Sequence, residues 1–386
     1  MKRIITTLSL VLFTLASGFG QVSENDRIVP VRPVEASRFG TAVASDQTQV
    51  VVTSPFNQVA YVFAIENGKW IEKAILPGIN KSTDFDGAKG FGSTVAIREN
   101  LVAVGAPDAT TGGMYAHGQI QLFKNDGKKW KVDQVIRPGQ VDMGGSFGQK
   151  LVLGDRILVT GAPGFNDRVG RGYVFEFRDG QWKETMLEAP QQNMGAKFGQ
   201  DVAVSNSLVA ITSPGFKVEN SPAGAVFLYE PTAEGGWAQR QGISCPENNL
   251  YFGKSVALTE NYLAVGAREK VYVYERSGNN WKYSYSLANP DPSLTMDFAK
   301  NVTISPDEGY LAIAGDGVAY LYQRTLTGWK LVQTFQEPAS NGFGSYNAFH
   351  GNLLLLSAPW EEVNGQPAGA IRVVKAPAVV DSPDFK

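Results

Sequence analysis

A Phe-Gly pair, or a close variant of it, recurs along the chain at intervals of about 50 residues. A period of this length is typical of a repeat architecture, in which each unit is too small to bury its own apolar faces. Neighbouring units must therefore stack on one another. The pairs begin at Phe39, Phe91, Phe147, Phe198, Phe252, Phe298 and Phe343, and the sixth of them reads Phe-Ala.

Each repeat contains four short segments with the composition of β-strands. In the second repeat they read FGSTVAI, LVAVGAP, GQIQLF and WKVDQVIRP. The second segment is almost entirely apolar, as in a strand covered on both faces, and the third is rich in β-branched and aromatic residues. An Asn-Gly or Asp-Gly pair follows the third segment at Asn67, Asp126 and Asp179 and favours a type I′ hairpin turn. Each repeat is thus predicted to be a four-stranded antiparallel sheet.

The predicted fold class is all-β, a seven-bladed β-propeller of four-stranded antiparallel blades. The seventh repeat has only three strands of its own before the sequence ends. The segment DRIVPVRP, from Asp26, ends in Pro as fourth strands do, so we expect this N-terminal strand to complete the last blade and close the ring. A tryptophan begins the fourth strand in the other six repeats, at Trp70, Trp130, Trp182, Trp237, Trp281 and Trp329.

The first 20 residues have the composition of a secretory signal peptide. Lys2 and Arg3 precede an apolar run from Ile4 to Leu15, which is too short to span a bilayer core, and small residues follow. We expect the domain order to be signal peptide 1–20, propeller 21–380 and a short C-terminal tail 381–386. The mature chain is then secreted, periplasmic or at the cell surface, without membrane insertion.

Composition narrows the classes of partner. The formal net charge is −2, and this balance does not suggest a nucleic-acid or anionic-membrane partner, since both favour basic stripes. Cys245 is the single cysteine, so the fold has no internal disulfide and depends on its core. We expect a monomer or one part of a larger envelope complex, whose partner is an extracellular protein or a glycan.

The succession Phe-Gly, Val-Ala, Gly-Ala-Pro resembles the FG-GAP repeat. FGSTVAIRENLVAVGAP and FGQKLVLGDRILVTGAPG carry the resemblance, which extends over essentially the whole mature chain. The chain is therefore similar to the N-terminal β-propeller of integrin α subunits and its bacterial relatives. The resemblance implies an extracellular scaffold for adhesion or recognition, and it does not identify a ligand.

The chain departs from integrin-type repeats between Val-Ala and Gly-Ala-Pro, where those repeats hold a D-x-D-x-D-G calcium loop. Here the interval holds three residues with at most one acid, as in Arg98-Glu99-Asn100. Calcium takes about six to eight oxygen ligands, so the calcium sites are not carried over, and we expect no metal and no other cofactor. Asp84 and Asp86 form one further cation candidate, for which a solvated loop is the simpler interpretation.

Strand direction predicts where binding takes place. In an antiparallel blade the links from strand 2 to strand 3 and from strand 4 to the next blade emerge on one face, here called the loop face. Long 2→3 links occur in repeats 2, 3, 4 and 7, and binding residues concentrate on loops held by a rigid scaffold. Packing of each side chain beneath its own loop stays open as an alternative. The candidate ligand-binding residues are Tyr115, His117, Phe165, Arg168, Arg171, Phe216 and Trp360.

No sequence motif for catalysis is present, and we expect the protein not to be an enzyme. There is no G-x-S-x-G elbow or Walker loop, and of the two histidines His350 is expected to be an exposed turn residue. Asp201 is the one carboxylate among the polar residues of the predicted inner strands. The sequence favours a recognition or adhesion scaffold. The alternatives are a structural subunit of an envelope assembly, or a propeller enzyme of the glycosidase or lyase type at the channel mouth.

Overall fold

The computed structural model describes residues 27–79, 89–110, 115–140, 142–191, 193–218, 221–247, 251–293, 298–337 and 342–377. Within these ranges the chain forms seven four-stranded antiparallel sheets, so the predicted seven-bladed β-propeller is confirmed. The predicted signal peptide, the Asp84 and Asp86 candidate and the predicted C-terminal tail lie outside the described residues.

The strands of blades 1 to 6 run outward from the centre in chain order. Blade 1 contains Val43–Ser45, Gln49–Ser54, Val59–Glu66 and Lys69–Pro77, and blade 2 contains Thr94–Arg98, Leu101–Ala106, Gln119–Asn125 and Trp130–Ile136. Blade 3 contains Leu151–Leu153, Ile157–Ala162, Arg171–Arg178 and Gln181–Leu187, and blade 4 contains Val202–Ser205, Leu208–Ser213, Ala225–Pro231 and Trp237–Ser244. Blade 5 contains Ser255–Leu258, Tyr262–Gly266, Lys270–Ser277 and Asn280–Ala288, and blade 6 contains Asn301–Ile304, Tyr310–Gly315, Val318–Thr325 and Gly328–Gln336.

Blade 7 is completed by the other end of the chain. Its strands are Asn347–His350, Leu353–Ala358, Ala370–Lys375 and, outermost, Arg27–Ile28. Arg27 pairs with Arg372 and Ile28 with Ile371, which confirms the predicted closure by an N-terminal strand. The first strands of successive blades contact one another around the whole ring, including those of blades 7 and 1.

The 2→3 links add small elements to the blades. Two are short hairpins, one of Lys217–Val218 with Ser221–Pro222 in blade 4 and one of Glu362–Val363 with Gln366–Pro367 in blade 7. A 3₁₀ turn over Pro55–Asn57 occupies the link of blade 1. A turn over Phe165–Arg168, in which Asn166, Asp167 and Arg168 have positive φ, occupies the link of blade 3. No described helix is long and apolar enough to cross a bilayer.

Aromatic residues fill the seams between blades. Phe147 is fully buried, and its ring meets the ring of Tyr173 edge to face at 5.1 Å. Ile120 and Leu122 of blade 2 join the same cluster, so the Phe of each Phe-Gly pair binds its own blade to the preceding one. Phe252 and Tyr272 repeat this contact in blade 5 at 5.4 Å. The edge-to-face geometry is the preferred one for aromatic pairs.

The two glycines of the repeat motif meet across a seam. Gly199 of a Phe-Gly pair has φ +86°, a conformation that favours glycine, and its N–H donates to the carbonyl of Thr212 at 2.9 Å. A Cβ atom on Gly161, in the Gly-Ala-Pro segment of blade 3, would overlap the carbonyl oxygen of Gly199 in blade 4. The two backbones can approach so closely only because both residues lack a side chain.

The hairpin turns between strands 3 and 4 follow the sequence expectation in two of three cases. Asn67 with Gly68, and Asp179 with Gly180, have positive φ at both positions, as a type I′ turn requires. The prediction for Asp126 is wrong. Its hairpin is longer, because the Asp126 carboxylate accepts hydrogen bonds from the N–H groups of Lys128 and Lys129 and stabilises a wider turn.

His350 is buried rather than exposed, so the sequence expectation for it is wrong. It is 8% exposed at the end of the first strand of blade 7. The ring of Trp70 in blade 1 lies across it at 5.2 Å, and its Nδ1 atom lies 2.9 Å from Ser45 Oγ. The sequence of blade 7 alone suggests that His350 lies in an exposed turn, but blade 1 packs over it and buries it.

This burial predicts a pH dependence of stability. Desolvation lowers the pKa of His350 below its ordinary value, and Asp46 offsets the effect only in part. As the pH falls, the unfolded chain takes up this proton before the folded protein does, so the free energy of unfolding should decrease below about pH 6.5. Urea titrations between about pH 5 and pH 8 should show a smaller decrease for His350→Gln than for the wild type. An equal decrease in both would contradict the assignment.

Candidate recognition surface

The loop face is a continuous rim, because each 2→3 link touches the connection to the next blade. Gly144 N–H donates to the Tyr115 carbonyl at 3.0 Å, and Gly164 N–H donates to the Gly145 carbonyl at 3.2 Å. Lys197 N–H likewise donates to the Arg168 carbonyl at 2.8 Å. Backbone bonds of this kind hold links that have little regular structure, which gives their exposed side chains fixed positions.

Large apolar side chains stand exposed along this rim from blade 1 to blade 5. Each lies on a 2→3 link or on a connection between blades. Soluble proteins expose single apolar residues routinely, but a series on one face is typical of a binding surface. The exposed fractions are 58% for Phe56, 54% for Tyr115, 70% for Met143, 74% for Met194 and 55% for Tyr251.

Trp360 belongs to a cation–aromatic sandwich where blade 7 meets blade 1. The guanidinium carbon of Arg38 lies 4.2 Å from the centroid of the Trp360 ring and 4.1 Å from that of Phe56. The two rings are 6.5 Å apart, and Trp360 is half-buried while Phe56 is exposed. Stacking of this kind fixes the Arg38 side chain and extends the apolar rim to the start of blade 1.

The seven candidate residues separate by burial. Tyr115 and Arg168 are exposed on the rim, and Phe165 and Trp360 are half-buried. His117, Arg171 and Phe216 are buried, with exposed fractions of 2%, 8% and 7%. The structure therefore brings Tyr115, Arg168, Phe165 and Trp360 to the loop face and places the other three side chains inside the blades.

Arg171 has a structural environment within blade 3. Its guanidinium carbon lies 3.9 Å from the centroid of the Phe165 ring. Its two terminal nitrogens donate to Gln140 Oε1 and Glu188 Oε1, each at 2.5 Å. Arg171 thereby joins the 2→3 link to the connections on both sides of blade 3. Phe216, on the 2→3 link of blade 4, packs within its own blade, where its ring meets that of Phe227 at 5.1 Å.

Glu361, next to Trp360, is part of the ring closure and not of the exposed surface. It is 5% exposed, and Oε1 accepts from Arg27 Nη1 at 3.0 Å. Its Oε2 atom lies 2.7 Å from Arg372 Nε. The carboxylate therefore connects the N-terminal strand to the third strand of blade 7 through two arginines. Glu362 is exposed on the same link.

Asp201, the inner-strand carboxylate, connects two blades. Oδ1 accepts the N–H of Val202 at 2.9 Å, and Oδ2 accepts the N–H of Val256 in blade 5 at 3.0 Å. Burial raises the pKa of Asp201, while Lys150 and these two N–H groups act in the opposite direction. The arrangement is that of a structural carboxylate. Among the described residues, no group of three or more His, Cys, Asp and Glu side chains is placed to hold a metal ion.

Sequence reasoning missed two highly exposed apolar side chains of the rim. Met143 and Met194 each begin the pattern Met-Gly-x-x-Phe-Gly. Met143 lies on the connection from blade 2 to blade 3, and Met194 lies on the connection from blade 3 to blade 4. The following glycines, Gly144 and Gly195, have φ +75° and +81°, so each connection bends in the same way and turns its methionine outward. This repeated pattern is the signal that would have identified them.

Comparison with solved structures supports the fold. The chain matches the RRP9 WD40 repeats at a TM-score of 0.62 and 11% identity, covering 93% of this chain and 99% of that one. It matches U3-55K at a TM-score of 0.58 and 10% identity, covering 90% and 97%. A functionally unknown protein from Desulfotomaculum acetoxidans DSM 771 matches at a TM-score of 0.55 and 14% identity, covering 86% and 100%.

These comparisons and the geometry together define the class of the protein as a seven-bladed β-propeller. No protein-family model matches the chain, and no curated protein matches it. The resemblance to the FG-GAP repeats of integrin α subunits therefore stays a prediction from the sequence motifs. At identities this low, the structural likeness concerns the fold alone.

Proposed function

We propose that this protein is a recognition scaffold that binds a protein partner through its loop face. The series of exposed apolar side chains from Phe56 to Tyr251 carries the proposal. Aromatic residues, Met and Arg are enriched at protein–protein interfaces relative to the rest of a surface, and the rim presents all three. Tyr115, Met143 and Met194 lie at its middle, in blades 2 to 4.

The exposed methionines favour a protein over a glycan. Met has an unbranched, polarizable side chain that adapts to an apolar partner surface. The Arg38 sandwich adds a fixed cation between two rings at one end of the rim, and aromatic and Arg residues dominate the binding energy of protein interfaces. A glycan is the other ligand class expected for an extracellular recognition scaffold, and the experiment below separates the two.

The test is binding of the mature chain, residues 21–386, to extracellular proteins of its source and to a glycan array. A variant with Tyr115→Ser, Met143→Ser and Met194→Ser should lose at least about tenfold in affinity for a captured protein. Truncating a hot-spot residue costs about 2 kcal/mol or more of binding free energy, and about 1.4 kcal/mol corresponds to a tenfold change in affinity. The variant's melting temperature should stay close to that of the wild type, because exposed substitutions change stability by about 0.5 kcal/mol or less.

Leu326→Ser is the matched control. Leu326 is 77% exposed on a hairpin turn between strands 3 and 4 of blade 6, on the opposite face of the ring. This variant should bind like the wild type. Equal affinity of the triple variant and the wild type would exclude the loop face, and binding to glycans alone would exclude a protein partner.

We further propose that recognition takes place outside the cytoplasm, as a secreted, periplasmic or cell-surface protein. The leader-like composition of residues 1–20 supports this proposal, as does the FG-GAP resemblance. Fractionation of cells that express the full chain, with N-terminal sequencing of the product, tests it. A cytoplasmic product that still starts at Met1 would contradict export.

A further inference from the structure

The centre of the ring has an irregular lining that the loop face does not explain. A cavity of about 360 Å³ runs between the first strands of the blades. In six repeats the fourth residue after the Phe of the Phe-Gly pair is aliphatic, namely Val43, Val95, Leu151, Val202, Val256 and Val302. In the seventh repeat the same position is Asn347, which also lines the cavity.

Asn347 is buried without a hydrogen-bond partner. The residue is 6% exposed, and neither its side-chain oxygen nor its side-chain nitrogen has a partner among the described residues. An unsatisfied buried amide is destabilising, and six blades show that an aliphatic side chain fits this position. The amide thus offers its NH₂ group as a donor and its carbonyl oxygen as an acceptor to whatever enters the cavity.

Lys150 lies at the end of the same cavity and reaches from blade 3 towards blade 7. Its ammonium nitrogen is 4.2 Å from the centroid of the Tyr346 ring, and Tyr346 directly precedes Asn347. Among the described residues, no carboxylate forms an ion pair with it. Asp201 is the nearby acid, but both of its oxygens already accept backbone N–H groups.

The charge on Lys150 persists in this setting. Burial acts to lower the pKa of its ammonium group, but Tyr346 and Asp201 outweigh that effect and raise the pKa above its ordinary value. Tyr346 also acts on the ammonium through a side-chain hydrogen bond. An ammonium carries three N–H donors, so donors remain for a ligand.

We propose that the central channel binds a small organic carboxylate, with the carboxylate on Lys150 and a second polar group of the same molecule on Asn347. The cation is Lys150, and the carboxylate of Asp201 lies nearby. This balance of charge suits a ligand with a single negative charge better than a phosphate. The cavity is at the lower end of the range for ligand pockets, about 300 to 1,000 Å³, so the ligand is small. The aliphatic walls and the Tyr346 ring accommodate its carbon skeleton.

This inference is independent of the proposed recognition function, because none of its residues belongs to the exposed rim. The test uses calorimetric titration and thermal unfolding of the mature chain with acetate, glycolate, succinate, inorganic phosphate and glucose. A carboxylate should bind saturably and raise the melting temperature by about 4 °C at a hundredfold excess over its Kd. Glycolate, which adds a hydroxyl for Asn347, should bind more tightly than acetate.

Asn347→Val restores the side chain of the other blades and is the most informative variant. It should melt at a higher temperature than the wild type without ligand, and it should weaken glycolate binding at least about tenfold. Lys150→Met should abolish carboxylate binding. Lys300→Met is the matched control, since Lys300 pairs with Asp316 at 2.6 Å and does not line the cavity.

Four results would overturn the proposal. They are failure of all three carboxylates to bind, carboxylate binding that survives Lys150→Met, glycolate affinity unchanged in Asn347→Val, and stronger binding of phosphate or glucose than of any carboxylate. If Lys150→Met does not fold, Asn347→Val decides, because it replaces an unsatisfied amide with the residue that the fold already accepts in five equivalent positions, Val43, Val95, Val202, Val256 and Val302.

Discussion

Gly161→Ala should destabilise the protein by about 3 kcal/mol, although it adds only one methyl group. The added Cβ would overlap the carbonyl oxygen of Gly199 in the next blade, and neither backbone can move without breaking strand pairing. The cost is that of overpacking a rigid seam. Denaturant unfolding followed by circular dichroism measures it.

Gly236→Ala is the control for that experiment. Gly236 lies in a hairpin of blade 4, and a Cβ there would meet only Thr232 Oγ1, at 3.6 Å. Its stability should change by about 0.5 kcal/mol or less. Similar stability losses in the two variants would show that the seam tolerates a side chain, and the explanation given for the paired glycines of the repeat motif would fail.

Glu361→Gln should destabilise the protein by about 3–5 kcal/mol. The substitution keeps the shape of the side chain but removes the charge that Arg27 and Arg372 share. Among the described residues, Arg27 is then left without a carboxylate, and Arg372 keeps only Glu337, whose Oε1 atom lies 4.0 Å from its Nη2 atom. Since Arg27 lies on the closing strand, the loss should appear first as release of the N-terminal segment. Limited proteolysis at that segment, together with denaturant unfolding, measures both effects.

Glu362→Gln tests whether the effect belongs to the buried pair. Glu362 is the adjacent, exposed carboxylate on the same link, so its replacement changes the same net charge without removing a buried partner. Wild-type stability is expected. If Glu362→Gln destabilises the protein as much as Glu361→Gln, the cause is the charge of the link and not the closure of the ring.

The fold was accessible from the sequence because its signals are local and repeated. The Phe-Gly period gave the number of blades, and the absence of a Trp from the seventh repeat indicated that a strand had to come from elsewhere. The structure confirms both inferences. The error at Asp126 arose from a side chain that caps its own turn, which a Gly-based rule does not consider.

The candidate site was less accessible, because the direction of a loop side chain depends on a connection far away in the sequence. Arg171 and Phe216 read as exposed loop residues, yet contacts with Glu188 and Phe227 hold them inside. His117 is buried two residues before the third strand of blade 2, where its carbonyl accepts the N–H of Phe147 at 3.0 Å. By contrast, Tyr115 lies two residues earlier and stays exposed.

The closing strand has a consequence for the order of folding. Arg27 and Glu361 are separated by 334 positions. The strand Arg27–Ile28 can therefore pair only after the last blade has been synthesised. Contacts of such long range are slow to form, and until then the outer edge of blade 7 remains unpaired. A truncated product that lacks the N-terminal strand would keep this edge open and be prone to aggregation.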